Sequence, residues 1–226
     1  MIVCAVPVHD NRDDAWDTIY LRPRLDRPEG AIEDEALLGL GWEERQRNVK
    51  AVTRTMLDVV EAGFDTAYRL IEAGEAQTKV IVPLFGAAFV DKSVASAFTE
   101  ACKAQPPDVH RRIVFEVTGV GDEVAMSWLD DVAIVLHLFC LSYTCRVTPR
   151  SRNFTFHATC NYSGVSLDLA NKPWPVDRVG PFLVDFVAKC KIARLRAYVH
   201  GVGSAELAAA AIEAGVRFMD GSAVRP

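Results

Sequence analysis

Glu116, Asp168, His200 and Asp220 are the residues of this 226-residue chain whose types and positions could do acid–base or metal chemistry. Each falls at or just past the end of a run with strand-like patterning, at 113–117, 165–169, 195–199 and 216–219. Carboxylates placed this way serve as general acid and base or hold a hard divalent cation, whereas an imidazole suits a softer metal such as Zn²⁺. One reading is a rewired metal or acid–base site built on these four residues. The other is a set of polar groups left over at a solvated mouth, and this is the expectation, because His200 is a poor partner for Mg²⁺ and no substrate pocket is assigned. On that reading no residue is catalytic and no metal or other cofactor is required; Mg²⁺ or Mn²⁺ enters only if the first holds. Arg146, Arg150 and Arg152 follow the run at 143–147, with Arg111 and Arg112 elsewhere. Guanidinium forks hold phosphate and carboxylate, so these three are the candidate anion or nucleotide site, against the alternative of a solvated basic loop. His157, beside Phe154 and Phe156, could stack a base, but a packed loop histidine is expected.

The charge balance limits partners. With 25 Lys+Arg against 30 Asp+Glu, a net charge of −5 and pI near 5.6, the chain is not built to coat nucleic acid or an anionic membrane. Six cysteines, Cys4, Cys102, Cys140, Cys145, Cys160 and Cys190, form no CxxC and no zinc-finger spacing with histidine, which predicts reduced, buried thiols. The opening residues carry no positive leader or cleavage site, and the richest apolar run, at 132–141, is too short to span a bilayer. A cytoplasmic location is expected. The four tryptophans, Trp16, Trp42, Trp128 and Trp174, share no spacing that suggests a binding stripe and are read as packing residues.

Elements must carry those candidates to one place. An opening antiparallel hairpin with a long loop, 2–8 and 18–21, precedes a loop-like stretch at 22–41. Val49, Val52, Met56, Val59, Val60, Phe64, Ala67, Leu70 and Ile71 then recur at steps of three and four, marking a long amphipathic helix. Strands at 79–84, 113–117, 143–147, 165–169, 195–199 and 216–219 alternate with helices at 92–104, 122–138, 176–189 and 205–214, and a loop runs from the fifth strand through Asn161. Ser204 caps the last helix and Gly215 ends it. Alternation of this kind builds parallel strands with crossover helices, and about eight strands favour a closed α/β barrel. No linker divides the chain, so 1–226 is taken as a single domain.

The segment from Ala197 to Pro226 resembles the closing part of EAL domains, the barrel phosphodiesterases that linearise cyclic di-GMP. Val199-His200-Gly201-Val202-Gly203 stands at that family's AEGVE, Asp220-Gly221 at its QG, and Arg225-Pro226 at its final Arg-Pro. Ile113-Val114-Phe115-Glu116-Val117-Thr118-Gly119 is similar to its LEITE strand. The resemblance covers about Val80 onward well and the first 75 residues loosely; it implies a TIM-like (β/α)8 barrel of the EAL type with an antiparallel first strand.

It also implies what is missing. The family holds divalent cations with carboxylates and an asparagine at strand ends, and a lysine helps position the attacking water. Here the signature glutamate falls near Tyr20 in Ile19-Tyr20-Leu21-Arg22, the asparagine at Pro83, the paired aspartates in Thr148-Pro149-Arg150-Ser151-Arg152, the lysine at Asp168 and the AEG glutamate at His200; only Glu116 survives. A second EAL string, Glu35-Ala36-Leu37, lies in an acidic pre-helical stretch and is read as coincidence. The resemblance thus implies a degenerate, catalytically inactive regulatory or scaffold protein in cyclic di-GMP-type signalling, acting through protein contacts, with a homo-oligomer among the partners open to it. Cyclic di-GMP itself is a doubtful ligand, because the phosphate- and guanine-contacting positions are altered. The competing reading is a phosphodiesterase or other metal-dependent barrel hydrolase with a rewired site.

Overall fold

A computed structural model describes residues 1–43, 46–75, 77–121 and 125–224. Eight strands close into one barrel: β1 (Ile2–Asp10), β2 (Ala15–Leu25), β3 (Lys79–Phe85), β4 (Ile113–Thr118), β5 (Ser142–Arg146), β6 (Gly164–Asp168), β7 (Arg196–His200) and β8 (Phe218–Met219). From β2 through β8 neighbouring strands run parallel, while β1 is antiparallel to both β2 and β8 and closes the ring, pairing Ile2 with Arg24 and His9 with Met219. The hairpin joining β1 to β2 explains the odd direction, since adjacent strands linked by a tight turn must be antiparallel.

Helices α1 (Asp34–Leu38), α2 (Val49–Glu72), α3 (Lys92–Lys103), α4 (Pro107–His110), α5 (Met126–Leu136), α6 (Thr155–Thr159), α7 (Val176–Ala193) and α8 (Ala205–Ala214) fill the crossovers. Strand alternation sorts the side chains. On β4, Ile113, Phe115 and Val117 pack outward among the helices, whereas Val114 joins Val8, Tyr20, Ile81, Tyr198 and Phe218 in a small cluster inside the barrel. Tyr198 and Phe218 stack at 4.5 Å within it. The long helix α2 buries Val52, Met56, Val59, Val60, Phe64, Ala67 and Leu70 along one face, as its period predicts.

Two expectations need correction. Residues 22–41 are not a plain loop: β2 runs on to Leu25, Ile32–Glu33 pairs with Arg24 and Leu25, and α1 follows. Pro23 concealed this strand, but it lies where β2 pairs with β1 beyond the stretch paired with β3, a position a ladder tolerates. The stretch after β5 is not wholly irregular either, because it contains α6. The predicted start of the fifth helix at Asp122 and the Arg225-Pro226 pair lie outside the described residues; α5 is described from Met126.

The two glycines matched to AEGVE and QG are demanded by geometry. Gly201 and Gly221 have φ of +66° and +141°, and a Cβ on Gly221 would lie 2.2 Å from the Val202 amide nitrogen. This close approach lets the strand ends carrying His200 and Asp220 meet. Gly221→Ala is therefore expected to cost about 1–3 kcal/mol through backbone strain, more with the overlap against Val202, and denaturant unfolding would show it as a lower midpoint.

Candidate functional site

The inward positions at the carboxyl ends of β2, β4, β5, β6 and β7 are Tyr20 and Arg22, Glu116, Arg146, Ser166 and Asp168, and His200; Asp220 follows β8. Arg146 is at the centre. Its Nη1 donates to Asp34 Oδ2 at 3.0 Å and to Asp168 Oδ2 at 3.4 Å, and its Nη2 donates to Glu116 Oε2 at 2.6 Å and to the Tyr20 hydroxyl oxygen at 2.8 Å. Tyr20 in turn donates to Asp34 Oδ1 at 2.5 Å. The other Glu116 oxygen accepts from Ser166 Oγ at 2.5 Å and lies 2.9 Å from His200 Nε2. The opposite ring nitrogen of His200 is 2.5 Å from Asp220 Oδ2, while Asp220 Oδ1 accepts from Arg22 Nη2 and from the Gly201 amide. The Tyr20 and His200 rings lie against one another at 4.5 Å.

Glu116, His200 and Asp220 are each 1% exposed or less, so they are not polar groups left at a solvated mouth. They are the interior of the barrel. Asp168 alone of the four keeps a partly solvated side chain, and it also accepts from the Ala170 amide. The electrostatics follow from the pairing. Burial disfavours charge on His200, but Glu116 and Asp220 on its two sides outweigh that and raise its pKa to about 10, so both ring nitrogens donate. Burial also opposes ionisation of Glu116 and Asp220; Arg146 and His200 hold the first well below the usual carboxylate range, and His200 and Arg22 lower the second. Burial raises Asp34, with Arg146 opposing it, and raises Tyr20 strongly.

The three arginines named together from the sequence do different things. Arg146 is inside the barrel, bound to Asp34, Glu116, Asp168 and Tyr20. Arg150 and Arg152 are exposed on the loop between β5 and α6, at the edge of a cleft of about 870 Å³. His157 is not in a loop but in α6, buried against the rings of Phe154 and Tyr162. The sequence reading missed Tyr20, Arg22, Asp34 and Ser166 as site residues. Strand parity marks three of them, since Tyr20 and Arg22 share a face of β2 and Ser166 and Asp168 share a face of β6. Nothing comparable marks Asp34, which enters from α1 with φ of +53°.

This donor set does not fit a magnesium or manganese ion. Such a cation wants several free oxygens near 2.0–2.1 Å, whereas the oxygens of Glu116, Asp34 and Asp220 are occupied by guanidinium, imidazolium and hydroxyl donors. Among the described residues, no three His, Cys, Asp or Glu side chains are grouped to hold a metal.

No family model matches the sequence, and no curated protein matches it either. Solved structures do resemble its backbone. The PaMucR phosphodiesterase in a c-di-GMP complex is 13% identical with a TM-score of 0.74, covering 97% of this chain and 88% of that one. The FimX EAL domain from Pseudomonas aeruginosa, bound to c-di-GMP, is 20% identical with a TM-score of 0.69, covering 99% and 89%. The Vibrio cholerae LapD S helix-GGDEF-EAL protein is 11% identical with a TM-score of 0.74; this chain spans 52% of its length. The chain has the EAL-type barrel fold. The expected barrel with an antiparallel first strand is thereby shown, and in this EAL-like barrel the inward face at the strand ends is held by cation–carboxylate contacts of the chain itself. Among the described residues no helix is long and apolar enough to cross a membrane.

Two outcomes follow from the network. Arg146→Met leaves Asp34 and Glu116 buried without their cation, and a loss of about 3–5 kcal/mol in chemical denaturation is expected. His200 has a folded pKa above its unfolded one, so its contribution is complete below about pH 6.5 and is lost as pH rises through about 10. Stability should fall by up to about 1.4 kcal/mol per pH unit across that window. His200→Gln should flatten this dependence; an equal slope in the variant would disprove the assignment.

Proposed function

We propose that this protein is a catalytically inactive EAL-type regulator or scaffold that works by binding, in signalling of the cyclic di-GMP kind, through contacts with a protein partner. One observation carries the reading: Arg146 and the His200 imidazolium engage the only carboxylate retained from the EAL ligand set, Glu116, at 2.6 and 2.9 Å. The phosphodiesterase chemistry implied by the resemblance polarises water between a divalent cation and a phosphate. Two fixed positive charges at the remaining ligand repel that cation and occupy the lone pairs it would use. The c-di-GMP complexes of the MucR and FimX relatives support the signalling context.

The alternative, a hydrolase using Glu116, His200 and Asp220, requires substrate to touch these groups. All three are sealed in the barrel and spend their hydrogen bonds on one another and on Arg22, Arg146 and Ser166. Protein contact has apolar surface available to it: Ile134 on α5, Leu138 just beyond it, and Val184 and Ile192 on α7 are more than half exposed. Self-association through such a surface is included in the proposal.

The purified protein with Mg²⁺ or Mn²⁺ is expected to leave cyclic di-GMP intact when the reaction is followed by chromatography. Turnover that disappears in Glu116→Ala would overturn the reading.

A further inference from the structure

Every other crossover in the barrel from β3 onward carries a helix of at least ten residues, but the one from β5 to β6 carries only the five residues of α6. A strand in such a barrel relies on its crossover helix to cover its outer side. Where that helix is reduced to about one turn, a cleft of about 870 Å³ opens, lined from α5, the loop after β5, α6 and α7. Its size is in the range of small-molecule sites, roughly 300–1,000 Å³.

Among the described residues that line the cleft, the charges are all of one sign. Arg150, Arg152 and Lys189 face it, and no Asp or Glu is among its described lining residues, in a chain whose net charge is −5. Lys189 is paired with Asp185; Arg150 and Arg152 have no ion pair among the described residues. Phe156 contributes an aromatic side chain that is 47% exposed, next to the buried anchor Phe154. The loop is set before any ligand arrives: the Arg150 amide donates to Thr148 Oγ1, the Ser151 amide to the Thr148 carbonyl, and the Thr155 amide to Asn153 Oδ1.

Independent of that surface, the cleft gathers unsatisfied polar groups. Three described residues hold buried side-chain nitrogens without a hydrogen-bond partner, Arg22, Arg146 and His157, and the last two line this cleft. His157 is 6% exposed and lacks a partner at both ring nitrogens. Burial lowers its pKa to about 4, so at neutral pH it offers one N–H donor and one lone pair. Buried polar groups are nearly always paired, and exceptions call for an explanation such as an absent ligand or water.

We propose that this cleft is a binding site for a nucleoside phosphate, with the phosphate on Arg150 and Arg152 and the base on Phe156. Guanidinium forks match phosphate oxygens, and an exposed ring supplies the stacking face for a base. The cleft meets the buried Glu116–His200–Asp220 network only through Arg146, and Arg150, Arg152 and Phe156 lie outside that network, so substitutions at those three test the proposal without reference to hydrolysis.

The test is calorimetric titration of the intact protein at low salt with GMP, AMP, cyclic di-GMP and inorganic phosphate. At least one of the three nucleotides should bind at least tenfold more tightly than inorganic phosphate. Arg150→Glu combined with Arg152→Glu should weaken it at least tenfold, and Phe156→Ala several-fold, with unchanged melting temperatures because all three side chains are exposed. The His157 ring ¹⁵N resonances should shift on saturation. Absence of saturable nucleotide binding to millimolar concentration, binding indifferent to the charge reversals, or phosphate binding as tightly as every nucleotide would overturn the proposal. None of these results bears on whether the barrel interior is inactive.

Discussion

A guanidinium group inside a closed β-barrel has few ways to be stable, and the interior of this protein is arranged around one of them. Arg146 meets two buried carboxylates, a third that is partly solvated, and a tyrosine oxygen from four other elements of the chain. Coulomb attraction in a poorly solvated interior is strong, but so is the cost of stripping water from each ion, and the two nearly cancel unless the geometry is good. Here Glu116 is satisfied twice over, by Arg146 and by His200, which extends the chain of contacts to Asp220 and Arg22. Removing any one partner from such a network is costly, because it leaves a buried charge without compensation.

That constraint connects the fold to the functional reading. A barrel mouth built to hold an exchangeable divalent cation must leave oxygen lone pairs free and accept a surplus of negative charge. This one has been neutralised internally by side chains that cannot leave. The change is electrostatic and is spread over several strands, so no single substitution restores a metal site: removing Arg146 exposes Asp34 and Glu116 to one another while His200 still donates to Glu116.

The architecture was readable from the sequence because helix period, strand alternation and loop chemistry agreed, and because Gly201 and Gly221 occupy backbone positions that only glycine enters easily. The site was readable in part. Glu116, Asp168, His200 and Asp220 were visible as strand-end polar groups, but their burial was not, since solvent exposure at a barrel mouth depends on what the loops deliver. Asp34 was hidden for that reason: it lies beside Glu35-Ala36-Leu37 in a stretch with no long period, and only the short α1 turn carries its carboxylate to Arg146. Arg146 was grouped with Arg150 and Arg152 by proximity in sequence, although the parity of β5 turns it inward and the loop after β5 turns the others out. The same loop conceals α6, whose five residues are too few for a helical period to register.

The antiparallel first strand has a consequence for how the molecule reaches its native state. Because β1 forms the seam with β8, with Asp10 opposite Phe218, the ring is closed by a pairing of residues about 200 positions apart. Until β8 has been made, β1 can satisfy only one edge, against β2, and the other remains an open row of amides and carbonyls. During synthesis the partly formed barrel therefore presents two unpaired edges, those of β1 and of whichever parallel strand was added last. Such edges are templates for pairing with other chains. The last small strand, two residues long, thus closes the ring by pairing with only His9 and Asp10 at the end of β1.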